Sequence, residues 1–164
     1  MSDSVPLSQL IREAKLDPDL RLAGKDIDRI LDAVESDRTD FLEGRTTGDI
    51  HREIYDSLAA TGLPPPEILL RARKLSAYRH VDAIYQLHRG KFVRWIRRAD
   101  AGLALSNGGI VADVKFGDDG VQVVCRLFNH RHVQYAFDDC LTFQKLSTDE
   151  QLILSLYSRP DYAI

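Results

Sequence analysis

The chain reads as an α+β protein: a helical N-terminal region packed with a small, strongly curved antiparallel sheet, then a short C-terminal helix. Three observations predict this. Before Gly90 the apolar residues recur at three-to-four spacing, as on one face of a helix. From Gly90 to Phe143 they fall into short alternating runs, GKFVRWIRR, GGIVADVKFGDDGVQVVCRLF and HVQYAFDDCLTF, separated by glycines, acidic pairs and an Asn-His-Arg turn. After Leu146, Ser147 and Thr148 stand before Asp149, Glu150 and the run QLILSLY, which is how a capped helix begins. The organisation that follows is an acidic helical region over 1–62, a long helix over 63–89 leading into the sheet, a small barrel-like β module over 90–146, and a C-terminal helix over 147–158, as one compact body or two closely packed units.

Ser4, Pro6 and the Leu7/Leu10/Ile11 spacing predict a short capped helix ending near Ala14. Ile27, Ile30, Leu31 and Val34 give a one-sided stripe on a helix from about Lys25, extending to Phe41 and Leu42 and closing at Gly44. Thr47, Ile50, Ile54 and Leu58 predict another helix, capped by Thr46 or Thr47, with Gly62 just past its end. Pro64–Pro65–Pro66 cannot lie inside a helix, but Pro65 or Pro66 is suited to opening the next one. That helix is expected from Glu67 to about Leu87, through Ile68, Leu69, Ala72, Leu75, Tyr78, Val81, Ile84 and Leu87, with Ser76 as the place where a break would fall.

Past Gly90, five strands are expected. Asn107–Gly108–Gly109 turns into IVADVKF, and Gly117–Asp118–Asp119–Gly120 makes a hairpin to VQVVCRLF. Asn129–His130–Arg131 turns into HVQYAF, and Asp138–Asp139 precedes CLTF. GKFVRWI, GGIVADVKF and GVQVVCRL, about a third of the chain with their sequel, resemble the strands of SH3-like barrels of the Tudor-type and related interaction modules. That resemblance implies a small barrel and a binding role toward peptides, proteins or nucleic acid. A methyl-lysine cage on this pattern would fall to Phe92, Trp95, Tyr135 and Phe137, whose order and spacing do not single one out.

Charge divides the chain. Residues 1–62 hold 8 Lys/Arg against 14 Asp/Glu, whereas residues 63–164 hold 14 against 11. Most of the basic surplus comes from 71–98, where only Asp82 opposes nine Lys/Arg. The overall formal charge of -3 argues against a general nucleic-acid coating protein. The candidate binding residues are Arg89, Lys91, Arg94, Trp95, Arg97 and Arg98, with Arg71, Lys74 and Arg79 as a secondary basic face. Guanidinium groups interleaved with rings suit phosphates and bases, and arginine is equally favoured at protein interfaces, where it pairs with carboxylates.

Catalytic signatures are weaker. His130 and His132 would share a face on a continuous strand, and with Cys125, Cys140 or Asp138 they form the least poor metal or acid-base set; surface histidines and reduced core thiols are the simpler reading. Asp113, Asp118–Asp119 and Asp138–Asp139 read first as turn and edge chemistry. Neither GxxxxGK[ST] nor GxGxxG occurs, so no nucleotide cofactor is expected, nor any metal. With no apolar run of membrane-span length and no basic-plus-apolar leader, a soluble intracellular protein is expected. The first expectation is therefore a non-enzymatic interaction or structural protein that joins protein partners or self-assembles, Arg94, Arg97 and Arg98 setting orientation. Nucleic-acid association through 71–98 comes second, and a metal-dependent or His-based enzyme third.

Overall fold

The computed structural model describes residues 42–159, so the helices expected over 4–14 and across most of 25–42 lie outside the described residues. Among the described residues the fold is mixed α and β, with three helices and a six-stranded antiparallel sheet. The described residues divide into a larger unit, His51–Lys145, and a smaller one formed by 42–50 and 146–159.

Helix α1, Thr47–Ala59, starts where Thr46 and Asp49 cap each other: the Asp49 amide donates to Thr46 Oγ1 at 3.1 Å, and the Thr46 amide to Asp49 Oδ2 at 3.0 Å. Gly44 before it and Gly62 after it both take positive φ, 74° and 85°. Helix α2, Pro65–Lys74, opens on its prolines, because the amides they lack would have had no helical partner. It stops at Leu75, so the expected long helix to Leu87 is corrected. Tyr78–Val81 is strand β1, and Ile84–Gln86 is a single 3-10 turn. The three-to-four spacing continued through this stretch only because Tyr78, Arg79 and Val81 are all buried, leaving no alternation to betray a strand.

The remaining strands are β2 (Phe92–Arg97), β3 (Gly109–Gly117), β4 (Gly120–Arg126), β5 (His132–Ala136) and β6 (Cys140–Lys145). Their order is β1-β6-β2-β3-β4-β5. Strands β2 to β5 form a meander; β6 then returns between β1 and β2, with Val93 opposite Gln144 and His80 opposite Phe143. Strands β1 and β5 remain the two edges, so the sheet is not closed as a barrel.

It is nevertheless curled. Two strands separate β2 from β5, about 14 Å across a flat sheet at ~4.8 Å per strand. Yet the Trp95 and Tyr135 rings stack with centroids 4.7 Å apart and planes 19° from parallel. The Tyr135 hydroxyl continues across to Thr142 Oγ1 of β6, at 3.0 Å. Inside the curl, Val81, Val93, Val111, Val123, Cys125, Phe137 and Cys140 complete the core. A register shift between Val111 and Asp113 marks the bulge where β3 bends. Outside the curl, Ile96, Leu141 and Phe143 are also buried. The end of α1 adjoins this outer side, since Ser57, Ala60 and Thr61 share a hollow with His80 and Leu141.

In the smaller unit, α3 (Thr148–Tyr157) is capped as expected, Ser147 Oγ accepting from the Glu150 amide and Glu150 Oε1 from the Ser147 amide. Its Ile153, Leu154, Leu156 and Tyr157 are buried, as are Leu42 and Ile50, and the Thr47 amide donates to Ser158 Oγ at 2.9 Å.

Gly108 is where backbone freedom matters most. Its φ is +91°, and a Cβ there would lie 2.5 Å from the Val93 carbonyl oxygen and 2.6 Å from the Phe92 ring. Gly108→Ala is expected to destabilise the protein by more than about 1 kcal/mol. Gly117→Ala, where a Cβ meets nothing within 4 Å, should stay within about 0.5 kcal/mol of wild type. Urea unfolding of the two variants checks the contrast.

Candidate functional site

The basic residues between 71 and 98 do not form one surface. Strand alternation sends Phe92, Arg94 and Ile96 to one side of β2 and Val93, Trp95 and Arg97 to the other, so Arg94 and Arg97 diverge. Trp95 is only 6% exposed and lies against Tyr135, which removes it as a stacking platform for a ligand. Phe137 and Tyr135 are buried with it, so no aromatic cage opens to solvent. Arg79 is 1% exposed, with Nη2 donating to the Gln86 carbonyl at 2.6 Å, and cannot belong to a basic face. The sequence misplaced it because β1 was taken for helix.

Two more arginines serve the fold. Arg71 donates through Nε to the Leu103 carbonyl at 3.0 Å and through Nη2 to the Gly102 carbonyl at 3.1 Å, and pairs with Glu67. Arg94 donates through Nε to the Ser106 carbonyl at 2.8 Å. Together they clamp the connection between β2 and β3, where Leu103 takes a φ of 46°, uncommon for a residue with a side chain. Arg98 is exposed and donates to the Asp138 carbonyl, while Arg89 pairs with Asp113. Arg73 and Lys74 are exposed at the end of α2, Lys91 just before β2 and Arg97 at the end of β2.

The histidines and acids also scatter. His130 sits in the β4–β5 turn at φ 63°, so it and His132 do not share a continuous strand. Asp138 lies past the opposite end of β5 from His132, and the strand between them is about 13 Å long. Asp118 and Asp119 form the exposed tip of the β3–β4 hairpin. Among the described residues, no group of three His, Cys, Asp or Glu could hold a metal ion. No helix among them is long and apolar enough to cross a membrane. Cys125 and Cys140 are free and buried; burial pushes the Cys125 thiol up to about 12 and raises Cys140 as well.

Among the described residues, the larger unit carries concavities at three places that bear on the site. A groove of about 310 Å³ runs between α1 and α2, lined by His51, Ile54, Tyr55, Leu69, Ala72 and Arg73 and ended by Ser76, whose carbonyl lies 3.1 Å from His51 Nε2. Leu69 on this lining is 49% exposed, as is Leu70 next to it in sequence. A second hollow, of about 410 Å³, is lined by Ser57, Thr61, His80, Arg98, Leu103 and Leu141. Burial holds the His80 imidazole below its ordinary value of 6.5, Asp82 partly opposing this and Arg98 adding to it. The third, of about 130 Å³, lies at the far end of the sheet between Phe92, Ile110, Arg126, Phe128 and His130.

Sequence reading passed over Tyr55, Leu70 and Phe128 as surface groups and counted Leu69 into the buried stripe of the long helix. One signal was present for Phe128: Leu127–Phe128 is an adjacent apolar pair continuing the alternation of β4, and a strand cannot turn both members of such a pair inward. Comparison with family models, with curated proteins and with solved structures finds no match to this chain.

Two outcomes follow from burial. Neither thiol should react with Ellman's reagent in the native protein, and both should react once it is unfolded in urea. Because folded His80 resists protonation, the unfolded state takes up a proton first as pH falls through 6.5. Stability should therefore drop through that window and level off below the folded value, and His80→Gln should flatten the drop in urea titrations at stepped pH.

Proposed function

We propose that this is a non-enzymatic interaction protein that self-assembles, the groove between α1 and α2 receiving an amphipathic helix from a second copy. The exposed apolar rim of that groove, with Tyr55, Leu69 and neighbouring Leu70, carries the reading. An antiparallel helix pair with an open apolar seam is a receptor for i, i+3, i+4, i+7 anchors. Its charged border is basic, through Arg73 on the lining and Lys74 beside it, which suits an acidic partner helix.

The chain's own sequence supplies such a segment. Ile27, Ile30, Leu31 and Val34 form the stripe, and Asp26, Asp28, Asp32 and Glu35 border it; the segment lies outside the described residues. A curled, hydrogen-bonded sheet with the rhythm of an SH3-like interaction module, its inside filled by side chains, supports a binding role for outer surfaces rather than an enclosed active site. Arg97 and Arg98 remain available to orient a partner, whereas Arg94 is held by the β2–β3 connection.

Sedimentation of the full chain across a concentration series is expected to show association that Leu69→Asp abolishes, with unchanged circular dichroism. Removing an apolar anchor at the centre of such a seam weakens binding by about 2 kcal/mol or more. A synthetic peptide of residues 25–38 should bind the full chain and compete with self-association. A strictly monomeric chain that ignores the peptide overturns the reading.

A further inference from the structure

The β4–β5 turn carries a second surface, independent of the helix groove. Residues 126–132 read RLFNHRH, with two arginines, two histidines and no acid. Phe128 at its tip is 87% exposed, the most exposed of the large apolar side chains among the described residues. A ring left so far in water on an ordered turn is not explained by the core. The turn itself is built to hold it: the Leu127 amide donates to the Arg131 carbonyl at 2.8 Å, the His130 amide to the Leu127 carbonyl at 3.0 Å, and Asn129 Oδ1 accepts from the Arg131 amide at 3.0 Å.

Beneath it, Phe92 lies with its ring centroid 6.1 Å from that of Phe128. Phe92 in turn rests on the bare backbone of Gly108, which has no room for a Cβ. The row Phe92, Ile110, Arg126, His132 is in register across β2, β3, β4 and β5, so these side chains share one face of the sheet. The nearest carboxylate one row further on β3, Asp113, is engaged by Arg89.

We infer that this face binds single-stranded nucleic acid, a base stacking on Phe128 while Arg126 and Arg131 meet the flanking phosphates. An exposed ring backed by a second ring and surrounded by cations is the arrangement that single-strand binding uses. A duplex is disfavoured, because its bases are already stacked and a projecting phenyl ring cannot reach their faces. The hollow of about 130 Å³ beside the ring takes one flat group, too little for a helix or an extended peptide with its side chains. Its lining offers few hydrogen-bonding groups, so little sequence preference is expected.

The test is fluorescence anisotropy of a labelled oligothymidylate with the full-length protein, over a range of salt concentrations. Binding should appear at low salt and weaken as salt rises. Phe128→Ala should lower affinity about 5- to 100-fold. Arg131→Glu and Arg126→Glu should each weaken binding and flatten the logarithmic salt slope by about 0.7 or more. Phe116→Ala is the control, since Phe116 is 73% exposed beside the hairpin at the opposite end of β4, and it should bind as wild type. All four side chains are exposed, and unchanged thermal melts establish that each variant is folded. The inference is overturned if the oligonucleotide does not bind at low salt, or if Phe128→Ala binds as tightly as wild type. It is equally overturned if a duplex of the same length or a polyglutamate peptide binds as well as the single strand, which would make the face a general anion or protein surface. Loss of self-association by Leu69→Asp leaves this binding intact.

Discussion

The stack of Trp95 on Tyr135 is the contact on which the rest of the structure depends. It joins strands that are three places apart in the sheet, so it can exist only if the sheet curls, and the curl encloses the core. Two large rings occupying the middle leave room for medium and small side chains on the strands between, which is what Val111, Val123 and Cys125 provide. The phenol must then satisfy its hydroxyl without water, and Thr142 on β6 supplies that partner. The interior of the curl is filled by these side chains.

The basic run between 71 and 98 shows how a charge cluster in sequence can become internal architecture. Guanidinium groups carry several donors in a rigid plane, and carbonyls in an irregular connection need donors. Arg71 and Arg94 meet that need for Gly102, Leu103 and Ser106, in a segment that turns through a left-handed Leu103 without regular pairing over most of its length. Arg79 does the same at Gln86, from inside. What remains at the surface is small groups, Arg73 with Lys74 and Arg97 with Arg98, rather than one continuous basic face.

Much of the fold was legible. Glycine and aspartate at the β3–β4 hairpin, Ser147 with Glu150, Thr46 before α1 and the proline run before α2 each encode a local geometry by themselves, and each stands where it was expected. Strand β1 was hidden because its pattern depends on a distant partner. It is buried on both sides once β6 lies beside it, and Arg79 within it is satisfied by a carbonyl seven residues away. The candidate surface was legible only in part for the same reason. Charge and ring content are local, whereas whether Trp95 is inside and Phe128 outside is decided by the curl of the sheet. Adjacent apolar residues were the one local trace of Phe128.

The position of β6 carries a consequence for how the chain comes into being. It is the last strand, yet it lies between the first two, so β1 has no hydrogen-bonding neighbour until Cys140–Lys145 has been made. During synthesis the meander β2 to β5 can assemble by short-range pairing, while β2 keeps one bare edge and β1 waits some sixty residues for its mate. Ribosome-bound and C-terminally clipped forms therefore expose the edge of β2 as a template for pairing with other chains, and the inserted β6 covers that edge in the finished sheet.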